Sequence, residues 1–330
     1  MRILFVLGNG FDISIGLHTG YQDFYDYYLK QPSGDAVVEH LKNYLKTARY
    51  TMWADLEMGL GAYTAQVESI DQMKLIYNDL GDKLRDYLRK EEDSFSISDP
   101  IINTIRSGLI EPQATLPQGM QDAINAFRRN QGQFIIDVIS FNYTNTLEKI
   151  LQHFQEIQSM IQLNDYTFLR SVKHIHMRLE DDDVIMGVND ESQILNQDLL
   201  NDELRGLLIK PFINQELQNL TDTECVSLIQ GADLIYLFGV SIGETDLMWW
   251  QTIGNRFKKS DARIVYFAYD KGNITRNAER ISKYAACRSL LFNRMGITDP
   301  TKEQRDRVFI GYKTRLFHVP DQTQGGDQAV

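Results

Sequence analysis

The sequence predicts an α/β fold, a doubly wound parallel sheet with a large helical insertion. Short apolar runs at residues 3–7 and 234–238 are each closed by glycine, which is typical of buried strands in a parallel sheet. Such runs alternate with segments of helical periodicity, and several strand ends carry glycine, serine or asparagine. Because ligands of doubly wound folds bind beyond the carboxyl ends of the strands, these polar ends also predict a ligand site.

The first strand is predicted at residues 3–7 and is followed by the loop Gly8-Asn9-Gly10. Two glycines at the point where a strand turns allow the phosphates of a nucleotide to approach the backbone. With the strand starting so near residue 1, we expect no signal peptide before it. An aromatic helical face follows at residues 21–28, for which core packing is the favoured interpretation.

A helical insertion is predicted over about residues 32–131, because apolar residues such as Ile76, Leu80 and Leu84 repeat there at helical spacing. The insertion contains the sequence Trp53-Ala54-Asp55-Leu56-Glu57. Its polar residues either close the pocket or attach the insertion to the sheet, and attachment is the favoured interpretation.

Further strands are predicted at residues 134–140, 171–176, 184–188, 262–268 and 315–319. Helices are expected at 146–157, 199–220 and 277–292, and another begins near Thr245-Asp246, where Asp246 is either a helix cap or a ligand contact. The chain is therefore expected to form one domain over residues 1–320, with 321–330 as a flexible tail.

Composition excludes several classes of protein. The net charge of -11 argues against direct nucleic-acid binding, which needs clustered Lys and Arg. Two cysteines, Cys225 and Cys287, are too few for a disulfide framework or a four-cysteine zinc site. The sequence contains no apolar run of eighteen residues, so no membrane span is expected. These features predict a cytoplasmic globular protein.

The glycine loop departs from the common nucleotide fingerprints. A dinucleotide dehydrogenase would carry glycine at position 13, which is Ile13 here. The sequence also lacks a Gly-Lys-Ser or Gly-Lys-Thr phosphate loop and a Gly-x-Ser-x-Gly nucleophile elbow. By itself the loop therefore does not identify a nucleotide or a reaction.

Several motifs resemble those of sirtuins. Gly8-Asn9-Gly10-Phe11-Asp12 with Gly16-Leu17 resembles the sirtuin loop Gly-Ala-Gly-Ile-Ser with its later Gly-Ile-Pro. Ser140-Phe141-Asn142-Tyr143-Thr144 is similar to the sirtuin Thr-Gln-Asn-Ile-Asp, and Gly239-Val240-Ser241-Ile242 to Gly-Thr-Ser-Leu. His176 stands where sirtuins have a histidine before glycine.

A second resemblance, to the bacterial AbiH family of phage abortive-infection proteins, covers residues 1 to about 270. It rests on motifs in register, which are Leu7-Gly8-Asn9-Gly10-Phe11-Asp12, Tyr21-x-Asp23-Phe24, Trp53-x-Asp55-Leu56-Glu57, Phe141-Asn142-Tyr143-Thr144, His174-Ile175-His176, Gly187-Val188-Asn189-Asp190 and Phe238-Gly239-x-Ser241-x-x-x-Thr245-Asp246. The chain departs from the pattern at Met177, where glycine is expected after the histidine. That departure raises the question of pocket width and so of activity.

The resemblances imply an NAD+ glycohydrolase that cleaves the nicotinamide–ribose bond, with NAD as substrate or ligand and no metal. Asn142 would orient the water or the ribose, and His176 would be the general base. In the absence of the family motifs, Asn142 is more simply a turn residue and His176 a packed histidine. His174 is expected on the same face as His176, further from the strand end, and is therefore the weaker candidate for the base.

Binding roles follow from the same resemblances. The loop Gly8-Asn9-Gly10 with Phe11 would hold the phosphates, and Asp12 would contact the ribose or the nicotinamide amide, unless it only caps a turn. Gly239 and Ser241 would approach the adenosine side, and Asp246 is a further cofactor contact.

The cysteine count separates the candidate activities. Sirtuin deacylases carry a four-cysteine zinc module, so a zinc-dependent protein deacylase is not expected and plain NAD+ hydrolysis is favoured. The main alternative is a non-catalytic NAD or ADP-ribose sensor, which Met177 favours; another effector activity such as a nuclease is the weakest. A toxic enzyme needs control, for which a homo-oligomer or a phage protein trigger are the expected partners.

Overall fold

The computed structural model describes residues 1–47, 55–181, 184–218, 220–269 and 276–319. Within them lies an eight-stranded sheet. Its strands are β1 (Arg2–Leu7), β2 (Phe134–Ser140), β3 (Glu156–Ile157), β4 (Met160–Asn164), β5 (Thr167–His174), β6 (Leu234–Phe238), β7 (Arg263–Ala268) and β8 (Val308–Tyr312). Trp53 and the tail 321–330 lie outside the described residues.

Fourteen α-helices surround the sheet in the described parts of the chain. They are α1 (Gly10–Ser14), α2 (Tyr21–Tyr28), α3 (Ala36–Thr47), α4 (Leu56–Tyr63), α5 (Ile70–Ser94), α6 (Asp99–Ile110), α7 (Gln118–Arg128), α8 (Thr146–Leu151), α9 (Asp202–Leu208), α10 (Lys210–Glu216), α11 (Thr221–Gly231), α12 (Leu247–Lys258), α13 (Asn277–Arg294) and α14 (Lys302–Asp306). None of these helices combines the length with the apolar composition that a membrane crossing requires.

The sheet is parallel apart from one edge. Its strand order is β3-β4-β5-β2-β1-β6-β7-β8, and the pairs from β5 to β8 are all parallel, whereas β3, β4 and β5 pair antiparallel. From β1 the chain passes to β2 on one side and later to β6, β7 and β8 on the other, so the connections reverse beside β1. The prediction of an α/β fold is confirmed, and the β3–β4 hairpin was not predicted.

Side chains of β1 alternate between two apolar layers, as the two-residue period of a strand requires. Ile3, Phe5 and Leu7 belong to the core that includes apolar residues of α6, α7 and α8. Leu4 and Val6 belong to a second core with residues of α11, α12 and α13. Helices therefore cover both faces of the sheet, which fits a central strand buried along its length.

The described chain between α2 and β2 is helical, comprising α3 to α7 and short 3-10 turns. Leu80 and Leu84 on α5, two of the residues with helical spacing, lie in a third core together with residues of α2, α3 and α4. Polar caps support this region, since Ser69 accepts a hydrogen bond from Gln72 N at the start of α5. The extent of the insertion, about 32–131, stays a prediction.

Two predicted strands are wrong. Residues 184–188 form a loop rather than a strand, because Gly187 is wedged against α9: a Cβ there would lie 2.1 Å from the carbonyl oxygen of Leu208. Residues 315–319 also form a turn, and the last strand is instead Val308–Tyr312. Leu316 and Phe317 are apolar because they fill the core beside α6, where Phe317 has a φ of 57°.

Candidate functional site

The loops after β1 and β6 are packed backbone against backbone. Gly8 N donates to Phe238 O and Gly10 N to Gly239 O, both at 3.0 Å. A Cβ on Gly8 would lie 2.6 Å from Gly239 O, and one on Gly10 would lie 2.5 Å from Gly239 Cα. These glycines are therefore required by the contact between the loops, and Gly239 also needs its positive φ of 71°.

A cavity of about 480 Å³ lies at this edge of the sheet, beyond the ends of β1, β2, β5 and β6. Its volume falls within the roughly 300–1,000 Å³ that is usual for ligand pockets. It is lined by Gly8, Asn9, Asp12, Thr19, Tyr21, Asp55, Glu57, Leu84, Leu88, Phe141, Asn142, Tyr143, Thr144, His176, Gly239, Val240, Ser241, Gly243, Thr245, Asp246 and Trp250.

Eight of the ten predicted site residues line this cavity. They are Gly8, Asn9, Asp12, Asn142, His176, Gly239, Ser241 and Asp246. The other two, Gly10 and Phe11, do not. Gly10 packs against Gly239, and the Phe11 ring lies in the core, 5.3 Å from the Phe317 ring, so a cofactor contact by the Phe11 side chain is not supported.

Asn142 is the second residue after β2 and is 6% exposed. Its backbone N–H donates to Ser140 Oγ at 3.2 Å, which holds the turn. Its side-chain oxygen Oδ1 is buried without a hydrogen-bond partner in the described chain. A native protein rarely leaves such an atom unpaired, so this oxygen is available to a ligand or water.

The two histidines lie in different surroundings. At His174, Nδ1 donates to the carbonyl oxygen of Asn142 at 2.8 Å, and Nε2 lies 2.7 Å from Glu148 Oε1. His176 is instead a lining residue of the cavity. The expectation that both histidines share one face is wrong, because β5 ends at His174 and the strand alternation stops there.

His176 is held by an acidic partner and by aromatic rings. Nε2 lies 3.4 Å from Asp246 Oδ1, and Nδ1 is buried without a hydrogen-bond partner among the described residues. The ring of Phe141 packs edge-on at a centroid distance of 5.7 Å. A donor contact from Nε2 to Asp246 would leave Nδ1 as the proton-accepting nitrogen.

Met177 adopts the left-handed backbone conformation, with a φ of 62°. It is not a lining residue of the cavity. The glycine expected after the histidine therefore relates to backbone conformation, and the methionine leaves the width of the pocket unaffected.

A buried lysine joins Asp246 to the helical region. Lys210 Nζ, at the start of α10, lies 2.7 Å from Asp246 Oδ1 and 2.8 Å from Glu57 Oε2 on α4. Burial alone would raise the pKa of Asp246, but the charges of Lys210 and His176 outweigh burial and hold that pKa below its ordinary value. For Glu57, burial prevails and the pKa is raised despite Lys210.

Asp12, another lining residue, presents the opposite case. It is 1% exposed, and Thr144 Oγ1 donates to its Oδ2 at 2.6 Å. Burial raises its pKa to about 7, the Thr144 hydrogen bond opposes that rise, and the negative charge of Glu92 adds to it. Asp12 can therefore gain or lose a proton near neutral pH.

Lys210 and Thr144 are site residues that sequence reasoning missed. Glu57 lines the cavity and pairs with Lys210 on α10, and whether its motif closes the pocket or attaches the insertion to the sheet stays a prediction. Asp55 caps α4 by accepting hydrogen bonds from Glu57 N and Met58 N. Among the described residues no group of three or more His, Cys, Asp or Glu side chains is arranged to hold a metal ion.

The fold and cavity define an α/β protein with a candidate ligand pocket at the reversal point of its sheet. A family model described as bacteriophage abortive infection AbiH matches residues 4–268, a span that contains every lining residue. The chain belongs to the AbiH family, and membership implies a role in bacteriophage abortive infection. No curated protein matches the sequence.

Proposed function

We propose that this chain is a sirtuin-like NAD+ glycohydrolase that breaks the nicotinamide–ribose bond during abortive infection. The observation that carries the proposal is the meeting of Asn142 and His176 at one cavity, each with a buried polar atom lacking a partner in the described chain. The pocket also lies beside the switch point of the sheet, where nucleotides bind in doubly wound folds.

In the proposed reaction, water attacks the ribose carbon and nicotinamide leaves. Asn142 orients the water or the ribose through its amide, and His176 takes the proton from the attacking water. Asp246, in contact with His176 Nε2, holds the ring and stabilises it when protonated.

The charge of the cavity supports NAD+ over its reduced form. Asp12, Asp55, Glu57 and Asp246 are lining residues, and none of the lining residues is Lys or Arg. Carboxylates attract the cationic nicotinamide ring and the positive charge that develops on the sugar as the bond breaks. The uncharged nicotinamide ring of NADH gains nothing from them.

Met177 no longer favours the non-catalytic sensor, since it does not line the pocket. The sensor therefore serves as the alternative outcome of the test. The remaining partners, a homo-oligomer and a phage protein trigger, are proposals about control of the same activity.

The test is release of nicotinamide from NAD+ by the purified chain, with wild type, Asn142→Ala and His176→Ala compared. We expect both variants to lose activity by roughly 100-fold or more, while thermal unfolding shows that they remain folded. NADH should bind more weakly than NAD+. Tight NAD+ binding with no turnover, in the presence and absence of phage lysate, would establish the sensor instead.

A further inference from the structure

Three separate elements meet at the Nζ atom of Lys210. Glu57 comes from α4 in the helical region, Asp246 lies immediately before α12, and Lys210 is the first residue of α10. Lys210 is 5% exposed and is absent from the lining of the 480 Å³ cavity, so it does not reach a ligand there. Lys210 instead contacts the carboxylates of Glu57 and Asp246, which line that cavity.

We propose that Lys210 is a positioning residue, which pairs with both Glu57 and Asp246 and thereby holds the Asp246 carboxylate against His176. Only the effect of Lys210 on turnover rests on the proposed function. The effect of Lys210 on His176 is independent of the reaction.

The geometry at Asp246 carries this inference. A single oxygen, Oδ1, lies 2.7 Å from Lys210 Nζ and 3.4 Å from His176 Nε2. Without the lysine, Glu57 and Asp246 would be two carboxylates on one cavity wall with no cation between them, and their repulsion would separate them. Lys210 therefore determines where the partner of His176 lies.

The charged groups that act on His176 come from several elements. Asp246 is in direct contact, Glu57 and Asp222 interact with it electrostatically, and Lys210 is the cation among these carboxylates. Removal of Lys210 leaves the imidazole facing carboxylates alone. The Asp246 carboxylate is then no longer held beside Nε2, and the ring loses the acceptor that favours a proton on that nitrogen.

The experiment follows the imidazole 15N signals of the full-length, 15N-histidine-labelled chain by NMR at a pH where the ring is neutral, with His176 assigned by the loss of its signals in His176→Gln. In Lys210→Met the fraction of the tautomer with the proton on Nε2 should fall, because that tautomer donates to the Asp246 carboxylate, which the lysine no longer holds in place. Lys210→Arg should restore it towards wild type. The matched control is Lys42→Met, because Lys42 is equally buried, at 2% exposed, but donates to the backbone oxygen of Gln31.

If Lys210→Met does not fold, Lys210→Met/Glu57→Gln replaces it, since that pair removes the lysine together with one of the two carboxylates it contacts. An unchanged tautomer ratio of His176 in the folded variant overturns the proposal, and so does an equal change in Lys42→Met.

Kinetics supply the second readout. With NAD+ as substrate, Lys210→Met should lose about 100-fold in kcat, as expected for a displaced catalytic group, with KM changed less than threefold. Normal kcat in Lys210→Met overturns the positioning role. A wild type that releases no nicotinamide overturns the proposed function, and the tautomer ratio of His176 then still decides the role of Lys210.

Discussion

Asp12 and Asp246 are carboxylates of the same cavity, and they differ in what faces them. Asp12 has a neutral hydroxyl, Thr144, as its hydrogen-bond donor, and burial raises its pKa to about 7. Burial acts in the same direction on Asp246, yet Lys210 and His176 hold its pKa below the ordinary value. The comparison indicates that the partner of each carboxylate, rather than its burial, decides whether that carboxylate is charged at neutral pH.

The largest expected effect comes from removal of the cation on the Asp246 wall. Lys210→Met leaves Glu57 and Asp246 buried without a counter-charge, and we expect a loss of about 3–5 kcal/mol in the free energy of unfolding. The equivalent change on the other wall, Thr144→Val, should cost only about 1 kcal/mol, because Asp12 can take up a proton instead. Denaturant unfolding at pH 7 measures both. Equal losses would contradict the distinction between the two walls.

The next effect is a difference in pH dependence. Since the pKa of Asp12 is raised from 3.8 to about 7, its contribution to stability is complete below pH 3.8 and is lost as pH rises through about 7. Asn cannot ionise, so Asp12→Asn should gain about 2 kcal/mol or more relative to wild type between pH 4 and pH 8.

Asp246 should show the opposite sign. Its pKa is lowered, so its contribution is complete above pH 3.8 and decreases as pH falls below that value. Unfolding curves of Asp246→Asn should therefore approach wild type only at the acidic end.

For Asp12, parallel pH profiles of wild type and Asp12→Asn would show that Asp12 is ionised like an ordinary carboxyl.

The smallest effect concerns the backbone next to His176. Met177 has a φ of 62°, a conformation that costs a side-chain-bearing residue about 1–2 kcal/mol. Met177→Gly relieves that cost, whereas Met177→Ala removes most of the side chain but keeps the cost of the backbone conformation. We expect the glycine variant to be the more stable of the two by about 1 kcal/mol in thermal unfolding, with the pH responses of both walls unchanged. Equal stability would mean that the backbone is unstrained there.

The parts of the fold that could be predicted are those with local signals. Apolar runs closed by glycine identified β1 and β6 almost to the residue, because buried central strands need continuous apolar sequence. The strand at the edge of the sheet was harder to predict from the sequence. Val308–Tyr312 has only three consecutive apolar residues before Gly311, while Leu316 and Phe317 nearby are apolar for core packing.

Within the site, the residues that belong to family motifs could be predicted from the sequence. The residues that contact them in the structure could not. Asn142 and His176 follow strand ends, a position visible in sequence. Lys210 pairs with Glu57 across 153 positions and with Asp246 across 36, so no local pattern marks it. A lysine at the start of a helix beside Pro211 is usually exposed.

The close backbone contact between Gly8, Gly10 and Gly239 limits how the two loops can move. The loop after β1 donates both hydrogen bonds to the loop after β6, and there is no room for a methyl group between them, so we expect the two loops to move together. This part of the pocket lining is therefore expected to be rigid. Movements that admit or release a ligand are then expected elsewhere in the lining, for example at Tyr21 on α2.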